Sequence, residues 1–343
     1  MLGAVLLGDR KVGLRNFEEP EPGPDEVVVA VKASGLCGSD LHQYRAPSAE
    51  RTTLEPLCIA GHEPAGVVHA VGSGVSPRIA QVGDRVMVHH YGSCGMCEYC
   101  RSGWTQMCSK MEMRLYGTNE HGAHAPYMKV PAATLIPLDE SLSFEAGAAI
   151  GCGTGTAWGG LNRLGDVGGA TIAVFGQGPV GASATMLAAA RGATVIALDI
   201  DDSRLKKARD FGAAETVNPT EVDAAAAIRE LTAGRGAQLA LETSGATVAA
   251  ASALASLAPW GKLCLVGLGG RLEFDVLAYL RSQMTIMTSW SMSNVDQERC
   301  ASFVARHSLP VDDLFSHRWD LEDAVAAYAE FDRQSAGKGV FVF

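Results

Sequence analysis

The chain has 343 residues, more than one hydrophobic core usually sustains, so two domains are expected. Hydrophobic residues make up 47% and charged residues 19%, with 39 glycines, a balance that excludes a disordered or fibrous protein and fits a soluble one rich in tight turns. The net charge of −10 argues against nucleic acid or an anionic membrane as a partner, because both require a basic face.

The chain starts "MLGAVLLGDRK", an apolar run with no basic stretch before it and no small-residue cleavage site after it, which reads as a first strand rather than a signal peptide. No run of about eighteen apolar residues follows, so no membrane span is expected. A cytoplasmic, reducing location is the natural reading, and structural disulfides are rare there.

Residues 1 to about 150 read as all-β. "EVVVAVKASGL", "AGVVHAV", "GDRVMVHH" and "APYMKVPAATLIPL" are short β-branched runs separated by Gly, Pro and Asp. Two stretches of this half carry chemistry-bearing side chains. "GLCGSDLHQY" holds Cys37, Ser39, Asp40 and His42, and "GHEPAGVVHAVGSGV" holds His62 and Glu63. Taken singly, Cys37 reads as a small buried hydrophobe and His62 as a hydrogen-bonded core residue.

Next, "HYGSCGMCEYCRSGWTQMCSK" crowds Cys94, Cys97, Cys100 and Cys108 into fifteen residues with the spacing C-x2-C-x2-C-x7-C. A bacterial ferredoxin run has a shorter last interval and ends in Pro, whereas Ser109 follows here. Four thiolates with one longer loop suit a closed tetrahedral zinc that pins a lobe of about residues 92–110, with incidental free thiols as the alternative. His89 and His90, bordering this loop, read as solvated or hydrogen-bonded side chains. His121 and His124 in "NEHGAHAPY" read as hydrogen-bonded loop histidines, with contact to substrate as the alternative.

From about residue 154 the rhythm becomes strand–helix alternation: "ATIAVFG", "PVGASATMLAAARG", "ATVIALD", "SRLKKARDFG", then the strands "QLALETSG", "KLCLVGLGG" and "QMTIMTSW". That is the pattern of a doubly wound parallel sheet. "VFGQGPVG" places Gly176, Gly178 and Gly181 in G-x-G-x-x-G directly after an apolar strand, with Pro179 and Val180 opening the helix that follows. Glycines there let backbone approach a pyrophosphate at the helix N-terminus. Asp199 ends the next strand, where an acidic side chain hydrogen-bonds the adenosine ribose. Asp201 and Asp202 follow it, so a 2′-phosphate would meet negative charge and NAD is expected over NADP, although Arg204 is a nearby cation of the kind that can accommodate that phosphate. The tail "DLEDAVAAYAEFDRQSAGKGVFVF" gives an amphipathic helix and a closing strand.

Together these segments resemble a zinc-dependent alcohol dehydrogenase of the medium-chain dehydrogenase/reductase superfamily over nearly the whole length. The resemblance rests on "CGSDLH", "GHEPAGVVHAVGSGVSPRIAQVGDRV", the 94–108 cysteines, "IGCGTGTAWGGL", "FGQGPVG" and "ALDIDDSRLKKARDFGA". It implies a GroES-like β-barrel catalytic domain over 1–153 and 291–343 and a Rossmann NAD-binding domain over 154–290. It implies that Cys37, His62 and Cys152 ligate a catalytic zinc, with Glu63 behind the metal and Asp40 orienting His62. It implies two zinc ions per subunit, the other being the four-cysteine site. It also implies a proton relay from Ser39 through the nicotinamide ribose to His42, and a phosphate contact from Lys338, since Gly38 stands where some members carry a basic residue. Oxidation of a primary or secondary alcohol, polyol or cyclitol with NAD follows from the resemblance. The alternatives are a carbonyl reductase using the same site and a zinc-less quinone or enoyl reductase. Family members are homodimers or homotetramers, and the substrate is a small alcohol or carbonyl.

Overall fold

Short β-branched segments cannot bury both faces alone, and in this chain they do so by pairing over long sequence distances. The computed structural model describes residues 1–51, 57–333 and 337–343. In chain order the first part contains β1 (Leu2–Gly8), β2 (Lys11–Asn16), β3 (Glu26–Gly35), α1 (Asp40–Arg45), α2 (Ser48–Arg51), β4 (Glu63–Val71), β5 (Arg85–Val88), β6 (Tyr91–Gly92), α3 (Glu98–Arg101), β7 (Arg114–Leu115), β8 (Tyr127–Pro131), β9 (Leu135–Pro137) and α4 (Phe144–Gly151). The alternating part contains α5 (Gly153–Leu164), β10 (Thr171–Phe175), α6 (Pro179–Ala190), β11 (Thr194–Leu198), α7 (Asp202–Asp210), β12 (Glu215–Val217), α8 (Ala224–Leu231), β13 (Ala237–Glu242), α9 (Thr247–Ala255), β14 (Leu257–Leu265), α10 (Val276–Tyr279) and β15 (Thr285–Thr288). The tail adds α11 (Asn294–His307), β16 (Phe315–Trp319), α12 (Ala324–Asp332) and β17 (Lys338–Val342).

The chain divides into two compact units, Met1–Cys152 with Ser293–Phe343, and Gly153–Met292. The first unit is built on a seven-stranded sheet in the order β16-β17-β3-β4-β5-β9, with β8 also paired to β3. β17 runs antiparallel to β3, Val340 opposite Gly35, so the last residues of the chain complete a sheet begun three hundred residues earlier. Leu36, Leu41, Tyr328 and Phe341 pack in one buried cluster beneath this pairing. The first 150 residues are not purely β. α4 forms because Ser143 caps it, its hydroxyl accepting from the Ala146 N–H at 2.8 Å, and a Gly/Ala-rich surface lets it lie close on β3 and β4.

The second unit is a six-stranded parallel sheet in the order β12-β11-β10-β13-β14-β15. β10 and β11 are apolar along almost their whole length and buried, as strands covered on both faces require. Ile172, Val174 and Val195 are each 0% exposed, and each such side chain contributes about 1.5–3 kcal/mol of burial. The order reverses between β10 and β13, and ligands of such sheets bind at the carboxyl ends of the strands at that reversal. Among the described residues no helix is long and apolar enough to cross a membrane.

Candidate active site and nucleotide site

The register of β3 and β4 brings the first two chemical stretches together. Gly35 lies opposite Glu63, which sets Cys37, just past the end of β3, beside His62, just before β4. α4 then delivers Cys152 at its C-terminus. One donor atom from each of Cys37, His62, Glu63 and Cys152 lies within 4.8 Å of all the others. The two sulfurs are 3.8 Å apart. Two sulfurs held about 2.3 Å from one tetrahedral zinc stand about 3.8 Å apart, so the pair is spaced as zinc ligands are.

The side chains of this cluster interact strongly with one another. The hydrogen bond between the two sulfurs, which leaves one proton for the pair, holds the Cys37 thiol well below its ordinary pKa and Cys152 well above it. Burial opposes charge on His62, but Asp40 and Cys37 override it and keep the imidazole well above its usual range. His62 donates from Nδ1 to Asp40 Oδ1 at 3.0 Å, which fixes the ring, and Asp40 Oδ2 accepts from the Cys37 N–H at 2.9 Å. One carboxylate therefore orients two members of the cluster. Glu63 is fully buried, and burial pushes its carboxyl up to about 8 despite the neighbouring Lys338.

Ser39 stands 3.4 Å from His62 Nε2, on the side of the ring away from Asp40. His42 is exposed on α1 and donates its backbone N–H to the Ser39 carbonyl at 3.2 Å. The Lys338 ammonium is 1% exposed, paired with Glu63, and donates to the Leu36 carbonyl at 3.0 Å. A lysine so enclosed has its charge met inside the first unit by Glu63 and the Leu36 carbonyl.

The wall beside His62 is made of backbone. Gly61 has a φ of +89°, and a Cβ at Gly117 or Gly122 would come within 2.6 or 2.1 Å of the Gly61 carbonyl oxygen. His124 is hydrogen-bonded and sealed in the core, between the Ser34 hydroxyl at 2.7 Å and the Tyr328 hydroxyl at 2.9 Å. Burial pushes its pKa down to about 4. His121 accepts from the Ile59 N–H at 3.1 Å and packs edge-on against Phe17. Tyr44 is ordinary core against Tyr328.

One neighbour of the cluster was passed over in the sequence. His90 is 2% exposed, and its ring centroid lies 4.9 Å from that of His62. Its only sequence signal is a pair of histidines ending the apolar strand "GDRVMV", where a solvated loop is the simpler reading.

The four cysteines at 94–108 form a second cluster of donor atoms within 4.8 Å of one another. Cys94 and Cys100 sulfurs are 3.9 Å apart, and Cys97 and Cys100 sulfurs 3.3 Å. The Cys100 backbone N–H leads in lowering the Cys97 thiol to about 6, while burial lifts Cys100 to about 11. All nine cysteines of the chain are free thiols.

In the second unit, Gly176 follows β10 with a φ of +87°, Gly178 caps α6 and Pro179 opens it, with Val180 in the first turn. A Cβ on Gly181 would meet the Gly176 carbonyl oxygen at 1.8 Å, which is why this turn needs glycine at both positions. Asp199, just beyond β11, accepts from the Gln177 N–H at 2.6 Å and from the Asp201 N–H at 3.0 Å. Arg204 lies 3.7 Å from the same carboxylate. The glycine turn and the acidic residue are thus one connected structure, and its neighbour Asp201 caps α7. Trp158 lies in this unit under the Arg191 guanidinium, 3.7 Å from its ring centre.

A GroES-like barrel carrying a buried thiol–imidazole cluster, joined in sequence to a Rossmann sheet, defines a zinc-type dehydrogenase. Residues 23–140 match the alcohol dehydrogenase GroES-like domain, and residues 179–306 match the zinc-binding dehydrogenase domain. An uncharacterised zinc-type alcohol dehydrogenase-like protein, YphC of Escherichia coli K12, is 39% identical over 100% of this chain and 99% of its own. Sorbitol dehydrogenase of Bacillus subtilis is 38% identical over 80% of this chain and 77% of its own. The solved alcohol dehydrogenase TADH of Thermus sp. ATN1 superposes with a TM-score of 0.90 at 29% identity, covering 100% of this chain and 99% of that one. The chain belongs to the zinc-type alcohol dehydrogenase family of the medium-chain superfamily. It is an oxidoreductase acting on a small alcohol, with the zinc and NAD dependence of that family.

Proposed function

We propose that the chain holds two zinc ions, one catalytic and one structural, and oxidises an alcohol or polyol at the first of them. The observation that carries this reading is the convergence of Cys37, His62 and Cys152, with sulfurs 3.8 Å apart in a buried site. Bound there, zinc supplies a Lewis acid that polarises the substrate oxygen, and NAD accepts the hydride. Cys37, His62 and Cys152 would hold the catalytic ion and leave it open to substrate, whereas Cys94, Cys97, Cys100 and Cys108 would hold the structural ion. Glu63 lies behind the metal site with its charge met by Lys338.

Asp40 fixes the His62 ring from behind, and Ser39 would relay the alcohol proton, accepting it as it passes its own hydroxyl proton on toward His42. His42, exposed one helical turn away, hands the proton to water. In the second unit the Gly176–Gly181 turn receives the pyrophosphate at the N-terminus of α6, and Asp199 bonds the ribose hydroxyls. The acidic run at 199–202 favours NAD, and a tenfold preference for NADP in steady-state kinetics would overturn that assignment.

A panel of alcohols, diols, polyols and ring alcohols, followed by NADH formation before and after chelation, tests the reading. Turnover that survives loss of zinc points instead to a zinc-less reductase. The relatives named as sorbitol dehydrogenase and D-xylulose reductase support a polyol substrate.

A homodimer or homotetramer is part of the same proposal. β15 is an edge strand with Ile286 exposed, and Val276, Leu277 and Leu280 lie exposed just before it. Such an edge is ready to pair with a second copy. Sedimentation of Ile286→Lys as a monomer supports this; an unchanged assembly removes β15 from the interface. Nine free thiols support a reducing, cytoplasmic compartment.

A further inference from the structure

The joint between α4 and α5 carries the third proposed ligand. Cys152 leaves α4 with non-helical dihedrals, φ −143° and ψ −74°, and its N–H reaches the Ala149 carbonyl only at 3.4 Å. α5 starts at the very next residue, Gly153. The helix behind Cys152 therefore holds it loosely, and its place depends on what fastens the start of α5.

Within the second unit that fastening is made by Thr154. Its Oγ1 lies 3.0 Å from the Ser183 Oγ, and both residues are 1% exposed. Ser183 donates its single hydroxyl proton to the Pro179 carbonyl at 2.7 Å, so Thr154 is the donor between the two hydroxyls. Pro179 is the first residue of α6, inside the glycine turn. A second tie, from Arg191 Nη1 to Asn162 Oδ1 at 3.0 Å, joins the far ends of the same two helices. α5 is thus fixed to α6 at both ends, and the buried end is the one next to the ligand.

From this geometry we infer that Thr154 is a positioning residue, which holds Cys152 in place for the catalytic metal and ties that place to the turn that receives the dinucleotide. Two residues of chain span at most about 7 Å, so little slack separates the fastened hydroxyl from the ligand. The inference rests on the proposed zinc and NAD sites and adds that filling one tightens the other, since coupling between two binding sites is reciprocal.

The test follows the catalytic ion by chelator competition, with the four-cysteine ion as internal reference. In Thr154→Val the catalytic ion should be held about tenfold more weakly, as when a ligand loses a supporting partner, while the reference ion keeps its affinity. Thr154→Ser, which retains the hydroxyl, should restore the wild-type value. Unchanged affinity in Thr154→Val overturns the inference. Equal weakening of both ions, or a serine variant as weak as the valine one, overturns it too, because either result assigns the effect to general stability or to shape. If Thr154→Val does not fold, Ser183→Ala, which removes the acceptor, carries the same expectation. A further readout uses the wild type alone. ADP-ribose, which has the pyrophosphate and the adenosine without nicotinamide, should tighten the catalytic ion about fivefold and leave the reference ion unaffected. Equal affinity with and without ADP-ribose overturns the inference. A protein that binds only the four-cysteine ion, or that does not bind ADP-ribose, overturns the underlying site assignment and this link with it; binding of both without mutual effect removes the link alone.

Discussion

His62 and Asp40 are joined at 3.0 Å through Nδ1, and this contact, buried on both sides, dictates which nitrogen His62 offers to the metal site. Because Asp40 also accepts the Cys37 N–H, removing it loosens two of the three proposed ligands together. Asp40→Ala should weaken the catalytic zinc by about 10–100-fold, the usual effect of losing such a partner. Competition with a chromogenic chelator should show one ion released early and one retained. Unaltered affinity would dissociate Asp40 from ligand orientation.

Ser39 Oγ lies 3.4 Å from His62 Nε2, the nitrogen proposed to face the metal. Ser39→Ala should lower kcat on the order of 10²-fold with zinc content intact, because a general base contributes at least that much. Retained turnover would remove Ser39 from the proton path. The exposed His42 should matter less, since water can substitute for it.

Cys100 sits at the middle of the four-thiol cluster, within 3.3 Å of one sulfur and 3.9 Å of another. Cys100→Ser should reduce metal content from two ions to one. Loss of a few kcal/mol of metal-linked folding should lower Tm on the order of 5–10 °C. Calorimetry beside metal analysis checks both numbers. A variant that keeps both ions would show that this cluster is not a metal site.

His124 makes stability depend on acid. Burial lowers its pKa from the ordinary 6.5 to about 4 in the folded chain. The unfolded chain therefore binds the extra proton first, and the stabilisation, complete above pH 6.5, is lost as pH falls toward 4. The shift corresponds to about 3 kcal/mol. Urea unfolding at a series of pH values should show this slope, and His124→Gln should flatten it. An equal slope in the variant would assign the acid sensitivity to other groups.

Local signals in the sequence reached as far as local physics does. The turn Gly176–Gly181 is dictated by a carbonyl that tolerates no Cβ, so spacing alone exposes it. The four cysteines lie in one short loop, and their spacing likewise speaks for itself. Cys37 and Cys152 are 115 residues apart, and only the β3–β4 register and the end of α4 make them neighbours, so family resemblance was needed to pair them. The burial of Lys338 against Glu63 is set by the pairing of β17 with β3, which no local signal near residue 338 reveals. His90 was invisible because the ring it packs against, His62, lies 28 residues away in sequence.

The glycine contact beside His62 limits how this enzyme can diverge. Gly61, Gly117 and Gly122 touch through main chain, so no side chain there can be enlarged by small steps without moving a ligand-bearing strand. Descendants of such a gene would keep that flank invariant and explore new substrates through residues carried on the opposite strand ends. Random libraries aimed at altered selectivity should therefore yield no survivors at 61, 117 or 122.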